Sequence, residues 1–148
     1  AGPIAGRFAA DSRRQFAKMR PTLERLGRRR RLGVVSNFYG NLEGIFRAEG
    51  LLDLFMVIAD SGTFGVAKPE PGIFLRAATA AGAEAEDCVM VGDSMTRDVA
   101  GAAAVGMKTA LLAGRASARG GQECAGSRGG KRPDWTISSI VELEALLS

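Results

Sequence analysis

No histidine occurs anywhere in the 148 residues, which removes histidine-based triads, histidine metal ligands and the commonest general base together. Any chemistry must run on carboxylates, lysine, hydroxyls or backbone groups. Cysteine is scarce. The two present, Cys88 and Cys124, lie far apart, one in an apolar run and one among Gly, Ser and Arg, which makes neither a disulfide framework nor a zinc site. No apolar run approaches the ~20 residues that a bilayer span requires. The start Ala1-Gly2-Pro3-Ile4-Ala5-Gly6-Arg7 lacks the apolar stretch of a secretory signal. The expectation is a cytoplasmic chain with no membrane partner.

What is present suits one soluble domain. Hydrophobic residues make up 46% and charged residues 24% of the chain, enough to build a core and too apolar for disorder. The net charge of +4 is uneven: residues 1–31 hold ten Arg and Lys against Asp11 and Glu24, while residues 32–112 hold five basic against ten acidic residues. The run Arg28-Arg29-Arg30-Arg31 could contact nucleic acid. No aromatic residues interleave with it, and cations at a helix C-terminus also suit the macrodipole, so a solvated helix end is the reading taken.

Periodicity sets out the elements. Ser12 to Arg20 is helical, Pro21 suits the first turn of a second helix, and Gly27 ends it. Leu32-Gly33-Val34-Val35-Ser36 then reads as a strand buried on both faces, as in parallel sheets. A helix from about Leu42 to Glu49, a strand Phe55–Ala59, a Gly-containing loop and a helix from Pro71 to about Gly82 come after it. Next are a strand Cys88–Val91, a helix from about Met95 to Val105 and a strand Lys108–Leu112. This alternation with short connections predicts a parallel sheet covered by helices on both faces. Residues 113–132 read as a long surface loop, Trp135–Ile137 as a last strand, and Ser138–Leu147 as an amphipathic closing helix.

Ligand sites in doubly wound sheets lie at the carboxyl ends of the strands, and three polar segments fall there. Ser36-Asn37 could offer a hydroxyl and a backbone amide to an anion, or be only a turn. Asp93 and Asp98 straddle a strand end and a first helical turn, where they could hold a hard divalent cation or merely cap the helix. Lys68, in the loop after the Phe55–Ala59 strand, offers a positive charge that could equally be solvated. The three signals in this order on this strand pattern carry more than any one alone.

Together these residues resemble the haloacid dehalogenase-like hydrolase superfamily over roughly Pro21 to Leu147. Leu32-Gly33-Val34-Val35-Ser36-Asn37 is similar to its second motif, Gly65-Val66-Ala67-Lys68-Pro69-Glu70-Pro71-Gly72-Ile73-Phe74 to its third, and Val89-Met90-Val91-Gly92-Asp93-Ser94-Met95-Thr96-Arg97-Asp98 to its fourth. The resemblance implies a three-layer Rossmann-like α/β fold. It implies that Ser36 and Asn37 bind a transferring phosphoryl group, that Lys68 neutralises it together with the nucleophile, and that Asp93 and Asp98 hold Mg²⁺. The Gly-Asp-Ser form of the fourth motif points to the phosphatase type, of the phosphoglycolate phosphatase kind, acting on a small phosphorylated substrate.

The family's first motif, an Asp-x-Asp segment ending an apolar strand ahead of the second motif, has no counterpart here. Asp11 is followed by a basic helix, and Asp134 sits at the wrong end of the chain. A phosphoaspartyl route needs one carboxylate to attack and another to protonate the leaving oxygen, so this chain by itself is expected to be inactive. In the family that first strand is central, which leaves the expected sheet incomplete between the strands ending at Ser36 and Asp93. The sequence thus reads as the C-terminal part of a truncated hydrolase, with residues 1–20 a residual cap or linker helix and 21–148 the core domain. The alternatives are a non-catalytic phosphate- or Mg²⁺-binding relative that takes a strand from a partner or another copy of itself, and a nucleic-acid-associated accessory protein.

Overall fold

The computed structural model describes residues 3–114 and 130–148, with side chains from residue 13 onward. Most of the loop expected over 113–132, Cys124 included, lies outside the described residues. The chain runs α1 (Pro3–Gly27), β1 (Gly33–Ser36), α2 (Leu42–Ala48), β2 (Val57–Asp60), α3 (Ser61–Phe64) and α4 (Pro71–Ala80). It continues through β3 (Val89–Gly92), a π-type turn (Met95–Val99) leading into α5 (Ala100–Ala104), β4 (Lys108–Leu112), β5 (Trp135–Ile137) and α6 (Glu142–Leu146).

Every strand pairing is parallel: β1 with β2, β3 with β4, and β4 with β5. They form two sheets, β1-β2 and β3-β4-β5. Among the described residues no strand joins the two, so β1 and β3 each keep one unpaired edge.

Because strand side chains alternate between faces, each strand feeds two cores. On one face Val35, Ala59 and Met90 pack with Ile73, Phe74, Ala77 and Ala78 of α4 and Ala102 of α5. That cluster takes side chains from both sheets. On the other face Val34 and Ile58 meet Leu42 and Phe46 of α2 and Phe16 of α1, while Val89, Val91 and Ala110 meet Leu26 of α1 and Leu143 of α6. Helices therefore cover both faces, in three layers. Burial shows where the sheet is open: Ala59, Thr109 and Ala110 are fully buried, yet Val34, Val35, Val89 and Val91 are only half-buried. In a complete sheet with helices on both faces the interior strands are the best covered; here β1 and β3 are covered less well than the strands they pair with, β2 and β4.

One helix passes through Pro21, where a break is expected from the missing N–H and the ring's clash with the preceding turn. Packing overrides that local preference, because Phe16 before the proline and Leu26 after it anchor the same helix to the two sheets. The arginine-rich end serves the helices. Arg20 donates to Gly50 O just past α2, Arg31 to Ala81 O and Gly82 O past α4, and Arg30 to Leu147 O past α6. These carbonyls have no partner within their helices, and a cation there also meets the negative end of the dipole.

Arg25 and Glu144 tie α1 to α6 with contacts of 2.7–3.0 Å. Arg25's hydrogen bond holds the Glu144 carboxyl below the usual glutamate range. A carboxyl with a lowered folded value contributes above its unfolded pKa of about 4.3, and that contribution fades as pH falls through the lower folded value. Urea midpoints of the wild type and Glu144→Gln should therefore differ near neutrality and converge as the pH falls below the lowered value of the folded protein. A gap that persists in acid would show that the tie is not electrostatic.

Candidate active site at the carboxyl rim

Local structure brings the predicted polar residues to one rim. Ser36 is the last residue of β1, and Asn37 begins the turn to α2. Asp93 directly succeeds the last residue of β3, and Ser94 caps the turn that carries Asp98, its hydroxyl accepting from Arg97 N at 3.2 Å. Lys68 lies between α3 and α4, in a connection closed by the bond from Glu70 N to Ala67 O at 2.9 Å.

Three of the five residues are joined directly. Asn37 Nδ2 donates to Lys68 O at 3.1 Å, and Lys68 N donates to Asn37 Oδ1 at 2.7 Å. The ammonium of Lys68 reaches Asp98 Oδ1 at 2.6 Å, with side chains only 14% and 5% exposed. Asp98 Oδ2 accepts from Ser94 N at 3.1 Å. Lys68 is thus bonded both to the residue after β1 and to a residue just beyond β3, and it spans the two sheets where no strand does. Gly92 makes room for this, since a Cβ at that position would collide with the Asp98 side chain.

Ser36 stands at the strand end beside Asn37 without a side-chain hydrogen bond among the described residues. Asp93 is exposed at the end of β3, and its carboxylate likewise has no hydrogen-bond partner there. Among the described residues no three Asp, Glu or Cys side chains cluster as a metal-binding group. The chemistry of the donor set still fits Mg²⁺, which takes one or two carboxylates and completes its shell with water and phosphate oxygens: Asp93 is unengaged, and Asp98 is held in place by Lys68 and Ser94. Asp134 lies at the other rim, before β5, where its carboxylate accepts from Thr109 N at 2.8 Å.

One residue that supports the rim was not singled out from the sequence. Asp60, the last residue of β2, is 2% exposed. Its Oδ2 accepts from Gly40 N at 2.9 Å and Leu42 N at 3.1 Å, and its Oδ1 from Gly62 N at 2.9 Å. It therefore secures both the start of α2 and the start of α3. Ser61 Oγ adds bonds to the N and O of Phe38 at 3.0 and 3.1 Å. Gly62 packs against the backbone of Tyr39 and Gly40 so closely that no Cβ would fit. The turn after Ser36 is stapled to β2 and α3, and through Asn37 to Lys68. The available signal was Asp-Ser-Gly after an apolar run, a side chain well suited to cap a helix starting at the serine.

A family model described as haloacid dehalogenase-like hydrolase matches residues 3–106. Among curated proteins, a zebrafish (Danio rerio) haloacid dehalogenase-like hydrolase domain-containing protein 3 is 44% identical over 80 residues, covering 54% of this chain and 33% of its own length. The pyrimidine 5'-nucleotidase YjjG of Escherichia coli is 34% identical over 119 residues, covering 79% of this chain and 49% of its own. Among solved structures, a HAD phosphatase from Thermococcus onnurineus superposes with a TM-score of 0.71 at 34% identity, over 86% of this chain and 55% of that one. A 2-haloacid dehalogenase from Pseudomonas syringae superposes with a TM-score of 0.73 at 31% identity, over 89% of this chain and 52% of that one. The chain spans between about a third and a little over half of these relatives' lengths.

Proposed function

Since the chain belongs to the haloacid dehalogenase-like hydrolase family, we propose that it supplies the phosphate- and metal-handling part of a magnesium-dependent phosphate monoester hydrolase. The observation that carries this reading is the short, largely shielded Lys68–Asp98 pair at the rim where Ser36 ends β1 and Asp93 follows the end of β3. The fold is shared with a phosphatase and with a 2-haloacid dehalogenase alike. Support for phosphate esters as the substrate class therefore comes from the curated relatives, among them a nucleotidase matched over 79% of this chain, a glyceraldehyde 3-phosphate phosphatase and an N-acylneuraminate-9-phosphatase.

In this reading each residue has a task set by its chemistry. Ser36 Oγ and the backbone amide of residue 37 donate to the non-bridging oxygens of the phosphoryl group. The Lys68 ammonium offsets charge that builds on those oxygens. Asp93 and Asp98 would hold Mg²⁺, which supplies further positive charge against the phosphoryl oxygens. No residue of this chain is assigned as the attacking carboxylate, because Asp134 lies at the other rim and Asp11 is a residue of α1. By itself the chain is therefore expected to bind without turning over.

A second reading draws on the unpaired edges of β1 and β3. Exposed edges invite another strand, so a non-catalytic relative binding phosphate or Mg²⁺, with a strand from a partner chain or a second copy, fits them as well. The two readings share one test. Inorganic phosphate titrated by NMR should bind in a Mg²⁺-dependent manner, and Asp93→Ala should weaken that dependence at least ~10-fold. p-Nitrophenyl phosphate should remain uncleaved. Cleavage that survives Asp93→Ala overturns the site assignment.

A further inference from the structure

We infer that Asn37 acts through its side chain as the positioning residue for Lys68, and that this side chain is committed to Lys68 rather than to phosphate. The inference deepens the proposed function and rests on it only for what Lys68 does there. The clamp itself stands on geometry.

Both polar ends of the Asn37 carboxamide go to one residue. Lys68 N donates to its oxygen at 2.7 Å and Lys68 O accepts from its nitrogen at 3.1 Å. An N–H facing the oxygen and a carbonyl facing the nitrogen fix which way the amide points. Only asparagine has the donor and acceptor at this reach: aspartate lacks the donor, and serine is too short to span both groups.

The consequence falls on the far end of the lysine. Lys68 belongs to no helix or strand, so no ladder of backbone bonds holds it, and its four-carbon stem is flexible. Where the ammonium can rest depends on where the backbone is held. Asn37 holds it against the end of β1, and from there Nζ reaches Asp98 beyond β3. Asn37, Lys68 and Asp98 thereby form a relay across the gap between the sheets. What residue 37 can still offer an anion is its backbone amide.

Lysine ammonium NMR with ¹⁵N labelling reads the relay directly. The sequence has four lysines, and Lys18, Lys108 and Lys131 are exposed, so they serve as internal references. In the wild type the Lys68 ammonium should exchange with water at least ~10-fold more slowly than the other three, as expected of a buried, hydrogen-bonded group. In Asn37→Ala the contrast should fall to within about twofold. Asn37→Asp, which keeps the acceptor and loses the donor, should lie between. A residue that merely stabilised the fold would lower the melting temperature and leave the contrast intact in the folded protein, and that result overturns the inference. Should Asn37→Ala fail to fold, the nearly isosteric Asn37→Asp decides: full wild-type contrast there sinks the two-ended clamp. Phosphate titrated into the same samples separates the two claims. A wild type with a slow Lys68 but no phosphate binding ends the phosphatase reading and keeps the clamp, whereas a fast-exchanging Lys68 in the wild type ends the clamp.

Discussion

Asp60→Ala should cost about 3–5 kcal/mol of folding stability, because three backbone amides lose a charged acceptor in a buried site at once. The N–H groups of Gly40, Leu42 and Gly62 all point at this carboxylate, and alanine offers none of them a partner. The loss is offset in part by no longer burying a charge. Hydrogen bonds to a charged group contribute about 1.5–3 kcal/mol each, so the offset does not cancel three of them. Asp60→Asn should fall between, since a carboxamide keeps one acceptor oxygen and turns an N–H₂ toward donors it cannot satisfy. Urea unfolding with an unchanged m-value would measure both. Because Asp60 also secures the turn after Ser36, phosphate binding should weaken in Asp60→Asn under conditions where the protein is fully folded. A loss below about 1 kcal/mol in Asp60→Ala would mean that water or neighbouring groups already serve those amides.

How the sequence foretells this molecule differs element by element. The strand Lys108–Leu112 is found as its apolar run predicts, since an interior parallel strand is covered on both faces, and Trp135–Ile137 is found as an edge strand that buries Ile137 and leaves Thr136 exposed. The second strand shifts from Phe55–Ala59 to Val57–Asp60 for a tertiary reason. Phe55 leaves the sheet to stack near Phe46, with ring centroids 5.4 Å apart, and the pairing extends to the buried Asp60 instead. The helix expected from Met95 begins as a π-type turn, in which Asp98 is placed to meet Lys68. The closing helix shortens to Glu142–Leu146 as Glu142 turns back to accept from Ser138 N at 2.9 Å.

The rim was legible as an ordered set of strand ends, but not as a network. Nothing local in the sequence states that residues 37, 68 and 98 touch, because the contacts cross between separate crossover units. The resemblance put Lys68 near the acidic motif; the two hydrogen bonds between the Asn37 side chain and the lysine backbone, one donated and one accepted by Asn37, had no sequence signal. Asp60 was hidden for the opposite reason. An aspartate before Ser-Gly looks like any turn, and only packing reveals that its carboxylate is sealed from water.

A double-mutant cycle on Lys68 and Asp98 should return a coupling of about 1.5–3 kcal/mol, larger than surface pairs reach. The two groups are 2.6 Å apart and largely shielded from solvent, so the cost of removing one depends on what it leaves behind. Lys68→Met strands a buried carboxylate with one backbone amide, from Ser94, and should lose about 3 kcal/mol. Asp98→Asn leaves an ammonium on a long stem that can swing to water, and should lose less. The double variant removes both charges and should be more stable than Lys68→Met alone, because a neutral pair no longer has to be desolvated. Its phosphate binding should nevertheless be lost. If so, stability alone would dispense with the pair, and the reason for holding two charges across an open gap in the sheet lies in the anion they are arranged to meet. A coupling below about 0.5 kcal/mol would show the opposite: an ammonium and a carboxylate that do not interact in solution, and a rim that is not assembled in this chain.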